Sequence, residues 1–466
     1  LALSTFVDPI CAPVISRRTF LSGVAVASLL PEFGQATQVD GALNPTTIGT
    51  QSGFWLADIA DGRELSARNG SWGAPPASVL KMVTALYALE ALGETYRFET
   101  RITATGQISE GVLHGDLALV GDGDPVLDTN ALRGMARRLR EAGITSVNGR
   151  FFLIAGALPH IEMVNQGQPE HAGYNPAISG LNLDFNRVRL DWVLNDAKPV
   201  LNFKAKGRDF DLPVARITGV IGQSRPPRHR YQDNLEVWEL SSERLRRPGG
   251  VWLPVRQPVE YAGEVFRGVA ALEGVTLPKP QTSGELSGGQ EIVRHESSDL
   301  STIVRGMLRY STNLTAEVLG LRASQALAGQ PETLAQSAAS MTEWARASYG
   351  IEYASFVDHS GLSDKSRWSP QETVGVLLAE QDRLPDLLPA RGIPTGQGGA
   401  SSKRNLQVLA KSGTLYFASG LAGYVLDKNH GLAFAIYSAD PSKRANIRPE
   451  DPTAPPGSKT WIRNAR

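Results

Sequence analysis

The sequence has too few cysteines for disulfides or thiolate metal sites, and it has no excess of positive charge for nucleic-acid binding. Cys11 is the single cysteine, which excludes an intramolecular disulfide and any site built from several cysteines. Lysine plus arginine and aspartate plus glutamate each number 47, so the formal net charge is zero. No stretch concentrates positive charge as a phosphate-binding surface does, and we therefore expect no nucleic-acid partner.

Length and composition predict a globular chain with several domains. The 466 residues correspond to about three domains at roughly 150 residues each. A hydrophobic share of 41% and a charged share of 20% are ordinary for globular proteins. A chain of this length buries a core large enough to be stable without disulfides. No segment after residue 36 is apolar for long enough to form a stable membrane span, so we expect none.

The N-terminal residues resemble an export signal. The pair Arg17-Arg18 precedes a short apolar run over residues 21–30, and a small-x-small site follows at 34–36. The run is shorter than the roughly 20 residues of a membrane-spanning helix. A basic pair, a short apolar segment and a small-x-small site are typical of secretion signals. We expect a twin-arginine signal over residues 1–36 and a periplasmic mature protein, which would lack Cys11.

Periodicity and turn residues predict where helices and strands lie. Asp61-Gly62 is a hairpin signal between strands at 53–60 and 64–68. Good helix formers after Pro75-Pro76 predict a helix over 78–89. Further helices are predicted at 132–142, 300–310, 313–328 and 332–349, further strands at 98–102, 111–120, 149–154, 188–193, 407–415, 420–427 and 432–438, and an extended tail from Pro449.

The first motif with catalytic potential is Ser78-x-x-Lys81, which occurs once in the chain. Residues three apart share a helix face, with Cβ atoms about 5–6 Å apart, and long side chains lean toward the helix N-terminus. Lys81 can therefore reach the Ser78 hydroxyl. A serine needs a nearby base to become a nucleophile, and a lysine serves as that base when burial or another cation lowers its pKa. Taken alone, so short a pattern is more often an ordinary helix surface.

Two further motifs follow in the second half of the chain. Ser311-Thr312-Asn313 comes directly after the helix predicted at 300–310, and Lys411-Ser412-Gly413-Thr414 lies on a predicted strand. The two-residue period of a strand puts Lys411 and Gly413 on one face and Ser412 and Thr414 on the other. Because Gly413 has no side chain, a neighbouring element can approach the strand closely there.

The order Ser-x-x-Lys, Ser-x-Asn, Lys-Thr/Ser-Gly is the signature of penicilloyl-serine transferases. The chain resembles the class C low-molecular-mass penicillin-binding proteins, a D-alanyl-D-alanine carboxypeptidase/endopeptidase family, over about residues 45–445. Three more segments carry the resemblance, namely residues 115–125, 174–179 and 358–363. Ser412 stands where most relatives have threonine and keeps the hydroxyl, and His359 stands where the family usually has glycine.

The resemblance implies an α/β (α+β) fold of the serine β-lactamase/transpeptidase type, in which helices flank an antiparallel sheet. It implies a catalytic domain at residues 37–97 and 285–466, with 98–284 as an inserted β-rich region of two nested domains. Ser78 and Ser311 are 233 residues apart. This gap suits the insertions and disfavours a class A β-lactamase, in which it is far shorter.

The resemblance also implies an acyl-enzyme mechanism on peptidoglycan stem peptides, with β-lactam antibiotics as inhibitors. The implied catalytic residues are Ser78 as the nucleophile, Lys81 as its base and Ser311 as a proton relay. The implied substrate-binding residues are Asn313, Lys411, Ser412, Gly413 and Thr414. We expect no cofactor and no metal ion.

Other functions fit these residues less well. A hydrolase of the nucleophile-elbow type needs Gly-x-Ser-x-Gly and a zinc peptidase needs His-Glu-x-x-His, and the sequence contains neither. A serine β-lactamase, or an inactive peptidoglycan-binding protein on the same fold, stays open as the alternative. The intact Ser78, Lys81 and Lys411 argue against an inactive protein, and the long gap argues against a β-lactamase.

Overall fold

The computed structural model describes residues 51–392, 406–448 and 454–464, so the predicted signal at 1–36 lies outside the described residues. The strands are β1 (Gln51–Asp58), β2 (Glu64–Arg68), β3 (Glu99–Ala104), β4 (Gln107–Ser109), β5 (Val112–His114), β6 (Leu117–Gly121), β7 (Ser146–Val147), β8 (Phe151–Ile154), β9 (Arg187–Asn195), β10 (Lys198–Lys206), β11 (Asp211–Pro213), β12 (Ile217–Gly222), β13 (Arg228–Gln232), β14 (Leu235–Ser241), β15 (Gly249–Pro254), β16 (Pro280–Thr282), β17 (Gln290–Glu296), β18 (Ala390–Arg391), β19 (Gln407–Leu415), β20 (Ala418–Leu426) and β21 (Gly431–Ala439). The helices are α1 (Lys81–Leu92), α2 (Thr129–Glu141), α3 (Pro258–Leu272), α4 (Leu300–Tyr310), α5 (Asn313–Ala328), α6 (Leu334–Tyr349), α7 (Pro370–Ala379), α8 (Leu384–Leu387), α9 (Pro441–Ala445) and α10 (Ser458–Asn464). Within these ranges, no helix combines the length and the apolar character needed to cross a membrane.

The described chain forms two compact units, and each is assembled from segments that are distant in sequence. The first unit contains the described residues of 51–91, 304–312 and 334–464. The second unit contains residues 92–303 and 313–333. The domain borders that the resemblance implies stay a prediction.

The first unit is built on a six-stranded sheet in the order β18-β19-β20-β21-β1-β2. Every neighbouring pair in this sheet is antiparallel. The predicted hairpins are present: β1 and β2 flank the turn that contains Asp61-Gly62, and β20 returns into β21 at Gly431. The antiparallel sheet expected of the fold class is therefore confirmed.

One face of this sheet packs against helices of the same unit. The hydroxyl of Tyr424 on β20 donates a 2.6 Å hydrogen bond to the carbonyl oxygen of Leu377 in α7. Gly420 lies on the same face of β20, because the strand period is two. A Cβ at Gly420 would lie 3.2 Å from Cγ2 of Val79. The turn that contains Val79 therefore packs closely against this face of the sheet.

The start of α7 shows how local sequence fixes a helix in this unit. The Oγ of Ser369 accepts a hydrogen bond from the backbone N–H of Glu372, and the Glu372 carboxylate accepts one from the backbone of Ser369. This reciprocal capping box pairs backbone donors that a helix end would otherwise leave without partners. Pro370 occupies the first turn, where its missing N–H has no cost.

The second unit is rich in short strands, as predicted. It contains a five-stranded sheet in the order β16-β8-β6-β3-β17, a four-stranded sheet in the order β11-β10-β9-β15, and two three-stranded sheets. A single hydrophobic cluster includes Phe151, Phe266 and Trp238. The strand predicted at 111–120 is interrupted between β5 and β6 at Gly115, where the backbone lies so close to Thr105 that no side chain would fit.

The prediction of an extended tail from Pro449 is wrong for its last described part. Residues Ser458–Asn464 form the helix α10. Trp461 is buried there, with its ring centroid 6.1 Å from that of Phe417 in an edge-to-face contact. The prolines that favour an extended chain end before this segment, and burial of Trp461 stabilises the helix that presents it.

Candidate active site

Ser78 lies in a tight turn that leads directly into α1. Residues Ala77–Leu80 form a 3₁₀ helix, and α1 begins at Lys81. In a 3₁₀ helix the side chains at positions i and i+3 eclipse each other. The Nζ of Lys81 accordingly lies 3.1 Å from the Oγ of Ser78 and donates a hydrogen bond to it.

Lys81 is completely buried, and a second contact holds its amine. The Nζ donates a 2.6 Å hydrogen bond to the carbonyl oxygen of Ser360. Asp358 fixes the loop that carries this carbonyl, because its two carboxylate oxygens accept the backbone N–H groups of Gly361 at 3.0 Å and Ser363 at 2.6 Å. The amine of Lys81 is therefore positioned by a loop that is distant in sequence as well as by the helix that carries the residue.

His359, which replaces the usual glycine of the family, is accommodated without backbone strain. Its φ lies outside the left-handed region, and the positive φ in this loop, 71°, belongs to Gly361. The imidazole is buried, with its Nε2 3.0 Å from the Oγ of Ser337. Its carbonyl oxygen accepts a 2.6 Å hydrogen bond from the hydroxyl of Thr84. His359 thus anchors the loop against α1 and α6.

The backbone just before Ser78 is strained. Ala77 has φ of 47°, in the left-handed region that costs a non-glycine residue about 1–2 kcal/mol. Gly361 packs directly against the Ala77 carbonyl, and any side chain at Gly361 would collide with that oxygen. Such strain persists where surrounding structure fixes it, and it occurs mostly at functional sites.

Ser311 and Lys411, which are distant in sequence, meet in the same unit. Ser311 follows the end of α4 with a left-handed φ of 60°, and its N–H donates to the carbonyl of Met307 at 2.8 Å. The Nζ of Lys411 donates to the Oγ of Ser311 at 3.0 Å and to the carbonyl of Ser412 at 2.8 Å. Lys411 is 1% exposed, so this amine lies inside the protein with the serine hydroxyl against it.

The strand that carries Lys411 runs close to the backbone of Ser78. A Cβ at Gly413 would lie 2.7 Å from the amide nitrogen of Ser78 and 2.7 Å from the carbonyl oxygen of Pro76. Lys411 and Gly413 are buried, whereas Ser412 and Thr414 are half-buried on the other face of the strand. The two faces of β19 thus follow the two-residue period expected from the sequence.

Asn313 belongs to the second unit, where it is the first residue of α5. Its Nδ2 donates a 2.9 Å hydrogen bond to the carbonyl oxygen of Tyr174. Tyr174 opens the segment 174–179, which carried part of the family resemblance. A hydrogen bond therefore joins the Ser311-Thr312-Asn313 motif to segment 174–179, two parts of the chain that the sequence does not link.

Two groups near these residues were not identified from the sequence. The Ser360 carbonyl lies in segment 358–363, and a backbone oxygen is not visible in a sequence motif because every residue has one. Arg391 on β18 donates from Nε to the carbonyl of Ala410 at 3.0 Å and from Nη2 to the Oγ of Ser412 at 3.2 Å. Burial lowers the pKa of Arg391. No pattern links residue 391 with residue 412, because their proximity depends on strand pairing.

The family of the chain follows from a comparison of its sequence with known families. Residues 35–453 match the D-Ala-D-Ala carboxypeptidase 3 (S13) family of peptidases. The chain belongs to this S13 family. The serine-type D-Ala-D-Ala carboxypeptidase activity that the resemblance implies is therefore confirmed.

Individual relatives agree with the family. The chain is 27% identical over 447 residues to a D-alanyl-D-alanine carboxypeptidase from an Actinomadura species, covering 88% of this chain and 82% of that protein. It is 24% identical over 436 residues to the D-alanyl-D-alanine carboxypeptidase DacB of Haemophilus influenzae, covering 86% of this chain and 88% of that protein. Neither a β-lactamase nor an inactive binding protein is favoured by these matches.

The fold is shared with a solved penicillin-binding protein. The crystal structure of penicillin binding protein 4 (dacB) from Haemophilus influenzae superposes with a TM-score of 0.73 at 20% sequence identity, covering 90% of this chain and 97% of that one. The same protein complexed with a β-lactam superposes with a TM-score of 0.68. The predicted β-lactamase/transpeptidase-like fold class is thus confirmed.

Proposed function

We propose that this carboxypeptidase acts on peptidoglycan stem peptides through an acyl-enzyme on Ser78. The observation that carries the proposal is the 3.1 Å hydrogen bond between Lys81 Nζ and Ser78 Oγ, made by a lysine that is completely buried. Burial favours the neutral form of an amine, which is the form able to accept a proton. Lys81 is accordingly the base that activates the serine.

The first chemical step forms an ester and releases D-alanine. Lys81 takes the proton of the Ser78 hydroxyl, and the oxygen attacks the carbonyl carbon of the D-Ala-D-Ala peptide bond. The C–N bond then breaks, and the leaving amine takes up a proton. Water afterwards hydrolyses the ester: its oxygen adds to the carbonyl carbon, and Lys81 returns its proton to the Ser78 oxygen as the ester bond breaks. Of the two protons that water loses, one replaces the proton that Lys411 gave up and the other passes to solvent, and the shortened peptide leaves as a carboxylate.

Ser311 and Lys411 deliver the proton to the leaving amine in this scheme. Lys411 Nζ lies 3.0 Å from Ser311 Oγ, so the hydroxyl can pass a proton outward while the lysine replaces it. The positive charge of Lys411 also helps to hold Lys81 neutral. Proton transfer by a positioned group of this kind typically contributes about 10²–10⁴ in rate.

Backbone donors stabilise the negative oxygen that develops in the first step. The N–H groups of Ser78 and Thr414 are the proposed pair, and the close approach of Gly413 to the Ser78 nitrogen supports this assignment. Removing one donor of an oxyanion hole costs about 10²–10³ in rate. Asn313 is the proposed contact for the substrate amide, and the hydroxyls of Ser412 and Thr414 for its terminal carboxylate.

We further propose that β-lactams acylate Ser78 and that the protein works in the periplasm. The complex of the Haemophilus influenzae relative with a β-lactam supports the first point. The basic pair and apolar run within residues 1–36 support export by the twin-arginine route. The domain borders proposed from the resemblance are 37–97 with 285–466 for the catalytic domain and 98–284 for the insertion.

Intact-mass measurement after incubation with benzylpenicillin tests the acyl-enzyme. The wild-type protein should gain the mass of one penicilloyl group, and the Ser78→Ala variant should not, while the Ser71→Ala variant, which changes an exposed serine, should behave as wild type. A folded wild-type protein without an adduct would contradict the proposal. Release of D-alanine from linear stem peptides and of monomers from cross-linked muropeptides then measures the carboxypeptidase and endopeptidase activities separately.

A further inference from the structure

Arg391 occupies an unusual position beside the Lys-Ser-Gly strand. It lies on the short edge strand β18, which pairs with β19 through Arg391 and Val408. Its guanidinium reaches along β19, where Nε donates to the carbonyl of Ala410 and Nη2 donates to the hydroxyl of Ser412 at 3.2 Å. The arginine is thus aimed at one of the two hydroxyls proposed to bind the substrate carboxylate.

The charge of Arg391 has no carboxylate partner among the described residues. Its guanidinium donates there to one backbone carbonyl and one serine hydroxyl, although the side chain is half-buried. Arg444 in the same unit shows the usual arrangement, because its buried guanidinium lies 3.1 Å from the carboxylate of Asp364. Partial burial of a cation without a counter-charge is unfavourable. Arg391 therefore has capacity for an anion.

The position of the leaving group indicates which anion this is. The amine released in the first step takes its proton from Ser311, which is bonded to Lys411. In a D-Ala-D-Ala substrate the terminal carboxylate is attached to the carbon that bears this amine. Ser412 carries one of the two hydroxyls proposed to bind this carboxylate, and its Oγ lies 3.2 Å from Nη2 of Arg391, so the guanidinium lies beside the proposed carboxylate position.

We propose that Arg391 and Ser412 form the subsite that selects substrates with a free terminal carboxylate. This inference rests on the proposed function and adds a specificity-determining residue to it. A guanidinium can bind a carboxylate through two parallel hydrogen bonds, with Ser412 Oγ as a third donor. The edge-strand contact with Ala410 holds the guanidinium in place before substrate arrives.

The test compares two substrates that differ only at the terminal carboxylate. A blocked tripeptide that ends in D-Ala-D-Ala and its C-terminal amide are each assayed with wild type, Arg391→Gln and Arg391→Lys. Loss of a charge-assisted hydrogen bond corresponds to about 1.5–3 kcal/mol, so the ratio of kcat/KM for acid over amide should fall roughly 10–100-fold in Arg391→Gln. Arg391→Lys keeps the charge and should retain part of the ratio.

Arg305→Gln is the matched control, because Arg305 also donates from Nε to a backbone carbonyl, that of Asp386. It should leave the acid-to-amide ratio at the wild-type value. If Arg391→Gln keeps that ratio, or loses activity equally on both substrates, Arg391 only pins the edge strand and the inference is overturned. Should Arg391→Gln fail to fold, the acid-to-amide ratio of Arg391→Lys decides instead. A wild-type ratio in that variant, or an equal loss of activity on both substrates, overturns the inference. A wild-type protein that is not acylated at Ser78 overturns the proposed function and this inference with it.

Discussion

The Nζ of Lys81 donates a 2.6 Å hydrogen bond to the carbonyl oxygen of Ser360. This contact joins the proposed base to a loop that is 279 residues away in sequence. The loop is held by Asp358, which accepts two backbone N–H groups, and by the glycine that packs against Ala77. The geometry at Ser78 therefore depends on a loop that contributes no side chain to the proposed chemistry.

Replacing Asp358 by alanine should slow acylation of Ser78. The N–H groups of Gly361 and Ser363 would lose their carboxylate acceptor, at a cost of about 1–3 kcal/mol for each buried donor left unpaired. The Ser360 carbonyl would then hold Lys81 less firmly. We expect a lower thermal midpoint and an acylation rate by benzylpenicillin reduced at least tenfold in the fraction that remains folded. An unchanged acylation rate would show that the loop does not position the lysine.

Replacing Gly413 by alanine should abolish activity through a steric effect on the backbone. The new Cβ would lie 2.7 Å from both the Ser78 nitrogen and the Pro76 carbonyl oxygen, so β19 and the Ser78 turn must separate. Gly375 in α7 offers the control, because a Cβ there meets nothing within 4 Å. Gly375→Ala should keep activity and stabilise the helix by about 0.5–1 kcal/mol. Steady-state kinetics and thermal unfolding of both variants check the contrast.

Replacing Ser311 by alanine should reduce kcat for D-alanine release by about 10²-fold or more, since the proposed proton relay to the leaving amine would be lost. The hydroxyl also accepts a 3.0 Å hydrogen bond from Lys411 Nζ, and the variant loses that bond. Thermal unfolding must therefore confirm that the variant folds. A changed pH dependence of kcat separates loss of proton transfer from simple misplacement of substrate. Retention of wild-type kcat would exclude Ser311 as the relay.

The second unit should lose stability as the pH rises toward neutral. Burial raises the pKa of Asp124 to about 7, and one of its carboxylate oxygens has no partner among the described residues. Burial likewise raises the pKa of Asp122 to about 6 and that of Asp184 to about 7. These values lie above the ordinary value near 3.9, so the folded state binds protons more tightly than the unfolded state. Their stabilising effect is complete at low pH and is lost as the pH rises through about 6–7.

The variant Asp124→Asn isolates this contribution. Its free energy of unfolding relative to wild type should increase between pH 5 and pH 8, because only the wild type must then hold a buried carboxylate anion. Asp116→Asn is the control, since the hydrogen bond from Arg150 lowers the pKa of Asp116, which stays ionised throughout this range. Its difference from wild type should be the same at both pH values. Urea denaturation at pH 5 and pH 8 measures both differences, and a constant difference for Asp124→Asn would contradict the prediction.

Much of the fold around the site could be predicted from local patterns. The hairpin at Asp61-Gly62 and the strands β19 to β21 follow from turn residues and alternation, which depend on neighbouring residues alone. The helix after Ser78 was predicted, but its first turn is 3₁₀ rather than α. The tail was predicted incorrectly, because the helix α10 depends on burial of Trp461 against Phe417, a contact that periodicity does not encode.

The sequence by itself determined which residues are proposed to carry the chemistry and their order along the chain. The i, i+3 spacing of Ser78 and Lys81 and the alternation along β19 are properties of local backbone geometry, so they are visible in the letters alone. Only the tertiary structure decided that Ser360 holds Lys81, that Lys411 meets Ser311 and that Arg391 reaches Ser412. These contacts arise from strand pairing and loop packing between distant segments. Which residues meet in these contacts is determined by the packing of the folded chain rather than by any short sequence pattern.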